Sequence, residues 1–139
     1  MWMKALALVS TVLLLVGLAI SVLSTLPLLI LRHHLPMDSR VVRQVFHYAY
    51  RWVALAATAS AIGHGLEQRW LLAACTASIA LAALVLHQQL LQRMDASRVT
   101  LHDGDAQALR RFRQLHLTGV MLNALLLALA VWIVSQIPR

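Results

Sequence analysis

The chain has little of what catalysis and cross-linking most often draw on. Its single cysteine, Cys75, excludes an internal disulfide and a thiolate metal cluster. That thiol sits in the apolar run WLLAACTASIALAALVL, where a lone cysteine serves as a small hydrophobe. Acidic residues number 5 against 12 Lys and Arg, and none of them (Asp38, Glu67, Asp95, Asp103, Asp105) falls inside an apolar segment. A buried carboxylate pair or a Ser-His-acid relay within those segments is therefore excluded. With 5 glycines in all, the chain has no Gly-rich loop to cradle a phosphate, and it shows no internal repeat or low-complexity tract.

What is present is hydrophobic: 60% of the 139 residues are apolar and 12% are charged, far outside soluble usage. The expectation is an integral membrane protein of the cell's inner membrane, with residues 1–139 forming one domain. A formal charge of +7 would suggest nucleic acid in a soluble chain, but these arginines sit at the ends of apolar runs. There they face lipid phosphates and set orientation, so nucleic acid is not an expected partner. The bilayer is; a small-molecule or metal ligand and a second copy of the chain are further candidates.

Four segments suit the roughly 20 helical residues that a hydrocarbon layer of about 30 Å requires. They cover residues 5–31, 45–63, 70–91 and 115–137. The second is the least apolar, because His47 and Arg51 interrupt it. Counting it as a span places Arg32, Arg40, Arg43 and Arg51 on the same face as Arg93, Arg98, Arg110, Arg111 and Arg113, leaving only Lys4, Arg69 and Arg139 opposite. By the positive-inside rule the first and third loops are then cytoplasmic and both termini lie outside. The expected fold is all-α, a four-transmembrane-helix bundle. The first segment is too long for a signal peptide's apolar region and lacks a small-residue cleavage site, so it is read as a span.

Local signals suggest boundaries. Pro36 is expected to stop the first helix, Asp38 or Ser39 to cap the second, and Gly63 and Gly65 to end it. Asp103 or Asp105 is the expected cap of a fourth helix that starts about two turns before its span. Ala73, Ala77, Ala80 and Ala83 form a small-residue stripe that would admit a close neighbour, and Gly119 is a second such point. Trp2, Trp52, Trp70 and Trp132 are expected to mark interfacial ends.

Chemistry, if any, falls to the remaining polar residues. His33, His34, His47, His87 and His116 lie near one membrane face, contributed by all four segments, while His64 lies at the other. Arg51 follows His47 by four residues and Asn123 follows His116 by seven, so each pair shares a helix face, with Ser24 and Thr25 at similar depth. An ionisable or amide group inside a span is costly and tends to face the bundle interior, as a site or as helix glue. Arg51 and Asn123 are the candidate ligand-binding residues. His47, His87 and His116 are the candidate metal ligands, three nitrogens suited to a transition metal, and two of them would suffice for haem. Histidine at the headgroup level is the plainer reading of the same residues. The leading expectation is thus binding of a metal, haem or small amphipathic ligand near the cytoplasmic face. A membrane redox enzyme using that site and a ligand-free accessory subunit are the alternatives.

Residue patterns also carry a likeness. The succession LLVGLAISVLSTLPLL, RQVFHYAYRWVALA, VLHQQLLQRMDASR and DAQALRRFRQLHLTGVMLN resembles, across nearly the whole chain, the bacterial family of unknown function related to eukaryotic transmembrane protein 205. Phe112, His116 and Asn123 look like that family's signature in its last span. The resemblance implies architecture and no established reaction. In layout the chain is also similar to copper-resistance protein D and to the membrane protoporphyrinogen oxidase. Where that oxidase would carry a haem-ligating histidine this sequence has Ala7, which speaks against the same activity.

Overall fold

The computed structural model describes residues 2–28, 30, 36–101 and 106–137, the side chains at 36–38 and 98–101 excepted. Among these residues there are four helices and no strand: α1 (Trp2–Leu28), α2 (Pro36–Leu66), α3 (Trp70–Leu101) and α4 (Ala106–Ser135). Each helix packs on the next, and α4 closes the ring against α1. Side-chain bonds between α1 and α2, α2 and α3, and α1 and α4 show neighbours running antiparallel.

Three helices, α1, α3 and α4, are long and apolar enough to cross a membrane. The fourth, α2, has 31 residues and is about 46 Å long at 1.5 Å per residue. Its length suffices, but Arg40, Arg43 and Arg51 dilute its apolar character. The exterior of the bundle is greasy: Leu23 is 68% exposed, Leu55 70%, Leu81 64% and Leu125 66%. Polar side chains are inside, with Ser10, Thr11, Ser60, Thr76 and Asn123 buried. In water that surface would aggregate, whereas in lipid it is the favoured arrangement.

Several boundaries differ from the sequence expectation. Helix α1 runs to Leu28, with Pro27 in that turn and Ile30 already in a turn, while Leu31 lies outside the described residues. Proline supplies no N–H to the carbonyl four residues back, which weakens the turn it sits in. Pro36 does not stop α1, which has given way to a turn by Ile30; it lies in α2, whose described part starts there. Asp38 and Ser39 consequently lie within the first turn of α2 rather than ahead of it. Helix α4 begins at Ala106, so Arg110, Arg111 and Arg113 ride on its first turns as a stem, and it ends at Ser135. His33, His34, His102, Asp103 and Asp105 lie outside the described residues.

The glycines of GHG do not end α2 either; the helix passes both and stops at Leu66. Closure comes from Arg69 N–H donating to the His64 carbonyl at 2.9 Å and Gln68 N–H to the Gly65 carbonyl at 3.0 Å, with Gln68 in the left-handed region at φ 60°. Glycine usually takes that place in such a cap. Gly63 serves a different purpose: a Cβ there would lie 2.7 Å from Ala7 Cα and 2.8 Å from Ala7 N, backbone against backbone. Gly17 similarly makes room for Trp52, whose indole lies where a Cβ would be. Trp52 is therefore a packing residue in mid-bundle, not an interfacial end marker.

Phe46 organises the opposite half of the bundle. It stacks on Tyr50 at 5.8 Å, meets His116 edge-on at 5.6 Å, and with Leu90 presses on Gly119, where a Cβ would come within 2.8 Å of the ring. Only part of the expected alanine stripe is inward, since Ala80 and Ala83 are buried while Ala77 is exposed. Thr76 and Ile79 complete that face instead.

The two glycines of GHG make opposite predictions. Gly63→Ala should cost about 1–3 kcal/mol by overpacking against backbone. Gly65→Ala, with nothing within 4 Å of the added Cβ, should gain up to about 1 kcal/mol of helix propensity. Thermal unfolding in detergent micelles reads both, and equal shifts would overturn the close contact of α1 and α2.

Candidate functional site

The end of the bundle where α1 stops and α2 starts collects most of the candidate residues. Here Arg43 grips Asp95 of α3 with two bonds, Nε to Oδ1 at 3.1 Å and Nη2 to Oδ2 at 3.0 Å. One turn further along α2, His47 Nδ1 lies 3.0 Å from His87 Nε2, the rings tilted at 42°. The spacing Arg43 to His47 on α2 and His87 to Asp95 on α3 places both pairs on the shared seam. In the histidine pair one of the two nitrogens carries the proton, so both do not offer lone pairs to one ion in this arrangement.

His116 is at the same end but faces elsewhere. It is fully buried, and its Nε2–H donates to the Thr25 carbonyl at 3.2 Å. That carbonyl belongs to the last turn of α1, where a helix leaves its acceptors without internal partners. Among the described residues no three metal-ligating side chains come together. The structure thus brings His47 and His87 into contact and turns His116 to a helix-capping bond.

Asn123 and Arg51 also part company. Asn123 is 1% exposed and donates from Nδ2 to Ser21 Oγ at 2.9 Å, bridging α4 to α1. Its Oδ1 is buried and has no partner among the described residues. Arg51 does not point into the bundle with it. It lies exposed on the other side of α1, lining an open groove of about 640 Å³ between α1 and α2 with Gly17, Ile20, Ser21, Ser24, Tyr48, Trp52 and Leu55. Ser21 is the link, since it both lines the groove and accepts from Asn123. Arg51 has no hydrogen bond or ion pair with any described residue, and the one described ion pair is that of Arg43 and Asp95. Tyr48 and Trp52, 62% and 49% exposed, line the same groove with amphipathic rings. Trp52 also donates to the Leu13 carbonyl at 3.4 Å, holding it across the groove floor.

Reasoning from sequence alone missed Ser21, Tyr48, Gly17 and Trp52 as parts of this groove. A helical count from Arg51 finds Tyr48 and Trp52 on adjoining faces, but no intra-helix rule pairs them with residues 17–24 of another helix.

Fold and site together define a four-helix, membrane-type bundle with polar seams inside and a cationic groove on its flank. No family model matches the chain, and no curated protein or solved structure matches it.

The Asn123 bridge is measurable. In a double-mutant cycle of Ser21→Ala and Asn123→Ala, the coupling between the sites should fall at about 0.6–1.7 kcal/mol, the range of interhelical bonds in membrane bundles. Additive losses would show that the two side chains do not share a bond.

Proposed function

We propose that the chain is a four-span inner-membrane protein that binds an anionic amphiphile in the groove between α1 and α2, with Arg51 as the counter-charge. The observation that carries this reading is the guanidinium itself: exposed, lining a largely apolar groove together with Tyr48 and Trp52, and without a carboxylate partner among the described residues. A cation at that depth gains when an anion joins it, because both shed their cost of desolvation only as a pair. The groove has the shape for such a ligand, with Ser21, Ser24 and Arg51 polar and Gly17, Ile20 and Leu55 apolar. Asn123 supports the polar side by holding Ser21 from behind. Of the ligand classes expected from the sequence, a small amphipathic molecule suits this geometry best. A metal or haem at His47 and His87 would require their shared proton to leave.

A second reading has its own observation. The bonds from Asn123 to Ser21 and from His116 to Thr25 tie α4 to α1 without any ligand. They suit a structural or accessory subunit. The resemblance to the family related to transmembrane protein 205 is compatible with either reading.

The threading belongs to the same proposal: α2 crosses as the fourth span, the basic first and third loops are cytoplasmic, and both termini lie outside. In a Cys75→Ala background, an impermeant maleimide should label Gln68→Cys in intact cells and Arg40→Cys, at the other end of α2, only after permeabilisation. Labelling of both from one side would remove the fourth span. For the site, a variant with Trp52 as its only tryptophan should be quenched saturably by a spin-labelled fatty acid. Arg51→Gln should weaken that binding about tenfold, the equivalent of about 1.4 kcal/mol. Unsaturable quenching, equal in both forms, would favour the ligand-free subunit.

A further inference from the structure

At the far end of the bundle, away from the arginine groove, a second cavity of about 480 Å³ is lined by Met3, Lys4, Leu8, His64, Glu67 and Arg69 among others. Its histidine is held in one tautomer by a buried chain. Thr11 donates its hydroxyl proton to the Ala7 carbonyl at 2.6 Å. The oxygen of Thr11 is then an acceptor, facing Ser60 Oγ at 2.7 Å and His64 Nε2 at 3.1 Å. His64 must therefore carry its proton on Nε2, which leaves Nδ1 a bare acceptor. His64 is 0% exposed, and its Nδ1 has no partner among the described residues; neither has the buried Oε1 of Glu67. Two unanswered acceptors beside one cavity call for a ligand that donates.

The cations narrow the class. The side chains of Lys4 and Arg69 line the same cavity and have no carboxylate or hydrogen-bond partner among the described residues. They oppose a bare metal ion and suit an anionic oxygen. A ligand with both a donor and an anion answers all four side chains. The surroundings place it at headgroup level: Met3, Leu8 and Ile137 supply apolar lining, and Trp2 and Trp70, 67% and 70% exposed, mark this end as the aromatic belt would.

We infer that this cavity is a phospholipid headgroup site selective for a primary ammonium beside a phosphate. The ammonium donates to His64 Nδ1 and Glu67 Oε1, and the phosphate pairs with Lys4 and Arg69. Glu67 is the specificity residue, since a quaternary ammonium offers no N–H to its carboxylate.

The test is native mass spectrometry of the full chain in detergent, titrated with phosphatidylethanolamine, phosphatidylcholine and phosphatidylglycerol. Phosphatidylethanolamine should be retained about tenfold more tightly than the other two, as expected for one or two charge-assisted hydrogen bonds. Glu67→Ala should erase that preference with its unfolding temperature unchanged. The pair Lys4→Ala and Arg69→Ala should weaken all three lipids. Arg51→Gln should leave the preference intact, so loss of the groove site and loss of this one are separable. Equal retention of the choline or glycerol lipid, or an undiminished preference in Glu67→Ala, would overturn the inference. Displacement by millimolar glycerophosphoethanolamine would overturn the lipid source in favour of a soluble zwitterion.

Discussion

The close approach of α1 to α2 is the constraint on which the other features depend. At Gly63 the two backbones touch through Ala7, and at Gly17 an indole fills the place of a side chain. Two helices in lipid gain little from burying apolar surface against each other, because the acyl chains are equally apolar. They gain from contacts that only a missing Cβ permits and from hydrogen bonds that lipid cannot make. The contact at Gly63 brings Thr11 against Ser60 and His64. Further along, the spread of the same two helices around Trp52 opens the groove of Arg51. One interface therefore shapes both cavities.

Most polar groups inside the bundle are answered in one of two ways. Five pairs lie on a seam between two helices and bond across it: Ser21 with Asn123, Thr25 with His116, Thr11 with Ser60, His47 with His87, Arg43 with Asp95. With no water to take them, these groups would otherwise stand unsatisfied in hydrocarbon. Several threonines and serines meet the same requirement locally, donating to the carbonyl one turn back, as Thr25 does to Ser21 at 2.7 Å and Thr76 to Leu72 at 2.8 Å. The atoms that fit neither are the informative ones. Among the described residues Arg51 has no side-chain hydrogen bond or ion pair, and Tyr50, His64, Glu67 and Asn123 each keep a buried polar atom unmatched. Arg51 lines one of the two cavities on which binding is proposed, and His64 and Glu67 line the other.

Opposite charge patterns distinguish these cavities. The groove offers a guanidinium, two aromatic residues and apolar side chains in one lining, which suits an anion with a tail. The other cavity offers an acceptor pair next to two cations, which suits a zwitterion.

Much of this was legible in residue order. Composition and segment length imposed helices, because a chain this apolar must satisfy its backbone internally. The number of helices and the depth of His47, His87, His116 and His64 along them followed from the same counting. Periodicity said which residues share a face of one helix, as with Arg51 and His47. It could not say which faces meet, since that depends on where backbones approach closely. The sequence therefore placed Arg51 and Asn123 in one interior pocket, whereas packing set them on two sides of Ser21. It grouped three histidines, and packing paired two while giving the third to a helix end. It read Gly63 as a terminator, and packing made it the contact point of α1 and α2. Local chemistry was determined by sequence; the pairing of seams was decided by tertiary structure, because contact geometry is a property of two helices and periodicity of one.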